Sequence, residues 1–509
     1  MGECLKRRVI IIGAGPAGLT AAYELCKADI GAIVLEQDKM VGGLAKTVNH
    51  KGYRFDIGGH RFYTKVRAAE QLWREVLSSK DFLRRKRLSR IYYHKKFFHY
   101  PLRASAMLFK LGLWEGALIL LSYLRARLAP EKTEQTFEQW VTNRFGKRLY
   151  QKFFKSYTEK VWGIACSEIN AEWAAQRIKG LSLTVVLKDI LLRQPKRNGN
   201  AVKTLIDEFD YPRLGPGMMW ETMADIVRAR GGTIRAGARV ENLHWTRDEI
   251  VAVEIQTGDR RETLHGTDFI SSMPIRELVR KLTPPPPAEV LDAAERLQYR
   301  DFITVVLIVN RRDLFPDNWI YIHDPDVQLG RVQNYKNWSA DMVPDAEQTC
   351  LGLEYFCFEG DSLWSMPDAE LVELGKREME KVGLLRADEV QEGTVVRVPK
   401  AYPVYDTSYQ QSLATLRRFF DKFSNLQLVG RNGMHKYNNQ DHSMLTALLA
   451  VKNIQGANYD LWNVNTEKEY YEERRGASGE EAATPVASRV DSIERVVPEC
   501  VEAASTVIE

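Results

Sequence analysis

The chain has 509 residues, 44% hydrophobic and 27% charged, and its net charge is only +5. That length supports two or three domains around a large core, and so small a net charge argues against nucleic acid as a partner. The six cysteines (Cys4, Cys26, Cys166, Cys350, Cys357, Cys500) are widely spaced with no CxxC pair, which argues against a zinc ribbon or a disulfide framework. A reducing compartment fits. No leader-like segment precedes the first apolar run, so the expectation is a cytoplasmic protein.

Residues 8–20 read RVIIIGAGPAGLT. Val9–Ile12 suit a buried parallel strand. Gly13, Gly15 and Gly18, with Pro16 and Ala17 between them, then supply a tight turn, a close backbone approach to a pyrophosphate and close helix–strand contact. A helix continues through Leu19–Cys26, its N-terminus facing a phosphate. Ala32–Leu35 form a second buried strand ending at Glu36, which lies 18 residues after Gly18, where a ribose-binding carboxylate is expected. The order of strand, turn, helix, strand and acid predicts a dinucleotide site.

Two further glycine pairs follow, in VGGLAKT (Gly43 and Leu44) and in KGYRFDIGGHRFYTK (Gly58, Gly59 and His60). Each lets backbone pass close to a bound group. A basic cluster (Arg84, Arg85, Lys86, Arg87, Arg90, Lys95, Lys96) comes next. It reads as a solvated face, an anionic-substrate site or a contact for an anionic membrane. SRIYYHKKFFHYP (89–101) predicts a hairpin with His94–Lys95 near its turn, and residues 103–195 are mostly helical. Within them, Leu108–Leu124 is apolar but interrupted by Lys110 and Glu115. It is too short to span a bilayer and suits a buried or interfacial helix. From Pro212 the chain returns to an α/β rhythm, with DFISSMP a strand ending at the cofactor. Residues 298–360 alternate toward a mixed sheet, and LQLVG followed by a helix from Ser443 closes the first domain. The small, polar and charged residues after about 474 predict a disordered tail.

The ordering of these motifs resembles the flavoprotein superfamily of amine oxidases, protoporphyrinogen oxidases, phytoene desaturases and UDP-galactopyranose mutases. The resemblance implies FAD as cofactor. It also implies an α/β fold: a discontinuous Rossmann-like FAD-binding domain with a mixed-sheet substrate domain and a helical insertion. The FAD domain would comprise residues 1–88, 212–283 and 425–473. The hairpin and helical substrate region would be 89–211, the mixed-sheet domain 284–424 and the tail 474–509.

RLYQKFFKSYTEKVWG resembles the mutases in particular, through Tyr157, Thr158, Lys160, Trp162 and Gly163. KAYPVYDTSY resembles their Tyr-Pro segment at Tyr402 and Pro403. LVGRNGMHKYNNQD resembles their flavin-holding turn at Gly430, Arg431, Gly433, Tyr437 and Asp441, and LGRVQNYKNW their essential arginine at Arg331. The resemblance implies that Tyr157, Trp162, Arg177, Arg331, Tyr402 and Tyr437 bind substrate, that Arg331 and His60 are catalytic, and that no metal takes part.

The implied reaction interconverts pyranose and furanose forms of a nucleotide- or lipid-diphosphate-linked sugar, with N5 of reduced flavin as nucleophile and an electron donor to reduce it. A net FAD-dependent oxidoreductase of the amine oxidase or protoporphyrinogen oxidase type is the alternative. The chain departs from the mutase pattern where a second diphosphate arginine is expected, since Leu181 stands there. Lys179 and Arg213 are candidate substitutes. Asn439, His435 and Lys436 also differ from the pattern. Peripheral contact with a membrane stays open, and the sequence leaves the oligomeric state unassigned.

Overall fold

The computed structural model describes residues 7–100, 112–177 and 208–465. Lys179, Leu181 and the tail 474–509 lie outside the described residues. The fold is α/β, in two connected halves built on two large sheets.

Arg8–Ile12 lies in the middle of a five-stranded parallel sheet. The order is Leu426–Leu428, Asp268–Ser271, Arg8–Ile12, Gly31–Glu36 and Thr233–Ala236. The unbroken apolar run of the central strand follows from burial on both faces. Helices Pro16–Lys27, Gly217–Ala229 and Gln440–Ile454 pack on this sheet in one core, which also takes the inner residues of a four-stranded sheet from residues 238–283. The sheet therefore joins strands from both ends of the chain.

The second half is a seven-stranded mixed sheet, in the order Val390–Pro403, Tyr299–Val309, Thr349–Cys357, Arg331–Asn334, Trp319–Ile322, Ser89–Tyr93 and Lys96–His99. The hairpin lies at the end of this sheet, pairing in parallel with Trp319–Ile322. It therefore shares one sheet with residues 299–403, although the sequence reads it as part of a separate region. His94 and Lys95 make its turn with left-handed backbone (φ 47° and 59°), the geometry that suits the twist of paired strands.

Alternation gives this sheet two unlike faces. Ile303, Val305, Leu307, Leu351, Leu353, Val332 and Ile320 point one way, into a core closed by Leu371, Leu374 and Met379 of helix Asp368–Lys381. The residues between them, including Thr304, Glu354, Arg331, Gln333, Trp319 and Tyr321, occupy the opposite face. Among the described residues, helical segments follow the hairpin at Leu113–Leu128, Phe137–Phe145, Lys147–Leu149, a widened π-turn at Tyr150–Lys155, Ser156–Trp162 and Ala171–Arg177.

Candidate active site

The first wall of the site is made largely of backbone. Gly13 has φ +99°, and a Cβ there would lie 2.2 Å from Ser272 Oγ; a Cβ on Gly18 would lie 1.9 Å from the Gly13 carbonyl oxygen. No other residue fits either place. Pro16 opens the helix Pro16–Lys27 and no side chain caps it, so its first-turn N–H groups remain available to an anion. Gly43 closes over the same turn, since a Cβ on it would come within 3.0 Å of the Gly15 Cα. Gly430 (φ +81°) does the same over Ala17, at 3.2 Å. Glu36 is buried and accepts hydrogen bonds from the Ala14 N–H (2.7 Å) and the Asp38 N–H (2.9 Å). Burial pushes its pKa up, and both bonds fix the strand end beside the turn.

The Gly58–Gly59 turn carries this wall onto the polar face of the seven-stranded sheet. A Cβ on Gly58 would be 3.7 Å from the Phe302 ring, and one on Gly59 3.6 Å from Gln333 Oε1. Leu44 packs into the cluster of Ile57, Phe302 and Phe356, which Tyr402 also joins. The His60 imidazole is buried within reach of the positive charges of Arg431 and Arg331. Burial, then Arg431, lowers its pKa to about 3. The ring is therefore neutral, and its Nδ1–H donates to the Gly58 carbonyl at 3.1 Å, which leaves Nε2 as an acceptor.

Arg331 lies at the centre of the second wall. Its Nε donates to Glu354 Oε2 at 2.8 Å and its Nη2 donates to the same oxygen, while Gln333 Nε2 donates to Glu354 Oε1 at 2.6 Å. The facing carboxylate raises the Arg331 pKa against its burial, so the guanidinium stays charged. Tyr157, Tyr402 and Arg331 are close enough to perturb one another's ionisation, and burial keeps both phenols protonated. Tyr157 stacks on His323 (4.1 Å between ring centres, 7° between planes) and meets the edge of Tyr321. Tyr402 stacks on Tyr437 at 5.6 Å, with Arg431 4.8 Å from the Tyr437 ring centre. Arg431 also donates to the carbonyls of Asn438 (2.9 Å) and Ala401 (3.0 Å), tying the closing turn to the Tyr-Pro strand.

Trp162 is buried between Trp173 and Tyr402. It is a wall of the chamber and also part of the helical core. Lys160 anchors the same helix to the loop before Arg331, donating to the carbonyls of Ile322 (3.1 Å), Asp324 (2.8 Å) and Leu329 (3.1 Å). Its burial lowers the ammonium pKa to about 8. Arg300 donates to the Val161 and Lys160 carbonyls in the last turn of that helix. Gly163 is required beneath it, since a Cβ there would be 2.5 Å from the guanidinium.

Most of the other expected residues bond within the protein. Asp441 accepts from the Thr64 hydroxyl at 2.6 Å, at the foot of the closing helix. His435 is buried against Tyr299, and Lys436 donates to the Trp462 carbonyl, so two of the residues that depart from the mutase pattern hold the turn from behind. Arg213 is ion-paired with Asp341 at 3.3 Å. Arg177 ends a helix, and its side chain lies outside the described residues.

Sequence reasoning missed Glu354, Gln333, Tyr321 and His323, which carry no motif and meet only through strand register. It also left the basic cluster unresolved. Arg84 pairs with Asp210, Arg85 donates to the Trp338 carbonyl, and Arg90 makes a two-pronged bond to buried Asp317. Arg87 lies over Tyr100 and Trp319, and Arg61 lies 5.0 Å over Trp319. Trp319 and Tyr321 alternate on the same face of one strand, beside Gln333 and Arg331.

Residues 16–442 match the family of flavin containing amine oxidoreductases. The chain belongs to that family. Its fold is similar to that of reduced UDP-galactopyranose mutase, with 18% identity and a TM-score of 0.75 over 91% of this chain and 99% of the mutase. A redesigned putrescine oxidase is also similar, with 16% identity and a TM-score of 0.58 over 89% and 99% of the two chains. A stretch of 50 residues is 54% identical to the inactive all-trans-retinol 13,14-reductase of Danio rerio, covering 10% of this chain and 8% of that protein. The glycine cradle fits the flavin that the family binds. So do the Thr304 hydroxyl and Gln333 Oε1, buried polar atoms with no partner among the described residues.

Proposed function

We propose that this family member binds FAD and rearranges the ring of a sugar held through a diphosphate to a nucleotide or a lipid. The observation that carries the proposal is the charged Arg331, buried beside Tyr157 and Tyr402 and facing the turn that holds neutral His60. Cationic and phenolic donors in a dry chamber stabilise a departing diphosphate. The same charge, with Arg431, would repel the ammonium of an amine substrate. Arg61 and Arg87 extend the cationic wall along Trp319, in place of the second arginine that the sequence lacks.

Gly13, Gly15, Pro16, Ala17, Gly18, Glu36, Gly43, Leu44, Gly58, Gly59, Gly430, Tyr437 and Asp441 would hold or frame FAD, which when reduced supplies an electron-rich nucleophile for the anomeric carbon. Arg331 and the tyrosines orient the diphosphate and take up the charge that develops on it. His60 Nε2 accepts a hydrogen bond from a sugar hydroxyl, and Trp162, Phe302 and Phe356 exclude water. Flavin-based ring rearrangement returns its electrons, so an external donor is needed only to prime the cofactor.

The test reduces the protein without oxygen and offers nucleotide-linked and polyprenyl-linked sugars. Products are separated by ring size, and oxygen uptake is followed in parallel. A furanose product with no net oxygen consumption is expected. Stoichiometric oxygen use with an unchanged ring size would overturn the rearrangement and favour the oxidoreductase alternative that family membership also allows.

A further inference from the structure

Five large hydrophobic side chains are exposed among the described residues, and four belong to helix Leu113–Leu128. Trp114 is 78% exposed, Leu121 64%, Leu124 46% and Leu128 86%. Positions 114, 121 and 128 recur every seven residues, with 124 between them, so the four share one side of the helix. A bare apolar face of this kind marks an interaction surface.

The opposite side of the helix is firmly docked. Ile119 and Tyr123 are buried, and Ile119 joins the cluster of Phe137, Trp140 and Phe153. The backbone at Ser122–Tyr123 presses so closely on Gly146 that a Cβ there would lie 2.7 Å from the Tyr123 nitrogen. Arg148 donates to both oxygens of Glu115, at 2.6 and 2.9 Å. The exposed face thus belongs to an anchored helix.

Cations accompany that face: Arg125 and Arg127 are exposed in the last turn. Tyr93 shares the cluster of Ile119 and leads into the hairpin tip, where Lys95 and Lys96 are exposed. A helix of this length offers a strip about 24 Å long and about 10 Å wide. That area is far below the ~800 Å² per partner of a stable dimer. No helix among the described residues is long and apolar enough to cross a membrane.

We infer that this helix lies on the surface of an anionic phospholipid bilayer. Trp114, Leu121, Leu124 and Leu128 enter the boundary between headgroups and acyl chains, and Arg125, Arg127, Lys95 and Lys96 meet lipid phosphates. The inference is independent of the reaction proposed above. Ile119 shares its cluster with Trp162, so a docked helix also sets the aromatic chamber near the bilayer.

Flotation of the flavin-loaded protein with vesicles tests it. Phosphatidylcholine vesicles are compared with vesicles that also contain phosphatidylglycerol, at low and high salt. The protein is expected to float with the anionic vesicles. The triple variant Leu121→Glu, Leu124→Glu, Leu128→Glu should lose at least about tenfold in partitioning, with flavin content and melting temperature preserved because the three positions are exposed. Arg125→Glu with Arg127→Glu should weaken binding and reduce its salt dependence. Failure of the parent protein to float, or equal flotation of the triple variant, would overturn the inference. So would a dimer in sedimentation velocity that the triple variant dissolves.

Discussion

The two walls of the site are built by opposite means. The parallel-sheet wall is nearly all backbone: glycines, one proline and one helix start, mostly within the first sixty residues. The mixed-sheet wall is nearly all side chain, with Tyr157, Tyr321, Arg331, Glu354 and Tyr402 drawn from segments hundreds of residues apart. A dinucleotide is gripped by N–H groups that any sequence supplies, provided nothing fills the space. A particular substrate must be met by particular charges and hydroxyls. The first wall should therefore fail through added bulk, and the second through lost charge.

The largest effect is expected at Gly18. Gly18→Val drives its side chain into the Gly13 carbonyl, and the protein should purify without the yellow absorbance of flavin. Retention of a full complement of flavin would break the distinction between the walls.

Arg331→Met should keep the flavin but reduce turnover by about 100-fold or more, the scale of losing a donor to developing negative charge. Glu354→Leu should instead destabilise the fold by about 3–5 kcal/mol, because it strands a buried guanidinium. Denaturant melts read this directly. If both variants lose only stability, Arg331 is a structural ion pair and its part in the chemistry falls.

A smaller effect is expected at Lys160. Lys160→Met leaves the three carbonyls of the loop before Arg331 without their donor. A loss of about 2–3 kcal/mol and a raised KM should follow, with flavin binding intact.

The mildest test concerns Asp56, which lies between the two walls. It accepts from Thr47 (2.9 Å) and Tyr211, and burial raises its pKa to about 7. An acid whose folded pKa lies above its unfolded value adds stability that is complete below about pH 4 and is lost as pH rises through about 7. The melting temperature should therefore fall between about pH 4 and about pH 7, and Asp56→Asn should flatten that slope. An unchanged slope would assign the pH dependence to other groups.

The sequence by itself determined the glycine cradle, the apolar central strand, the Glu36 strand end and the hairpin turn at His94–Lys95. Apart from Gly430 and Ser272, which reach the cradle from distant segments, each depends on residues close in sequence, where backbone sterics act. Motif resemblance also brought Arg331, Tyr402 and Tyr437 forward. Only the tertiary structure decided what surrounds them. Glu354 meets Arg331 because two antiparallel strands pair in one register, and a shift of one residue would turn it into the apolar core. Tyr321 at the end of its strand and His323 just beyond it reach Tyr157, whose helix Lys160 ties to the carbonyls of Ile322, Asp324 and Leu329. Arg84, Arg85 and Arg90 of the basic cluster are drawn into separate structural bonds because each partner, Asp210, the Trp338 carbonyl or Asp317, arrives from a distant segment. Charge runs and aromatic spacing are local patterns. Ion pairs and ring stacks are settled by the packing of whole elements, where burial makes an unpaired charge too costly to leave.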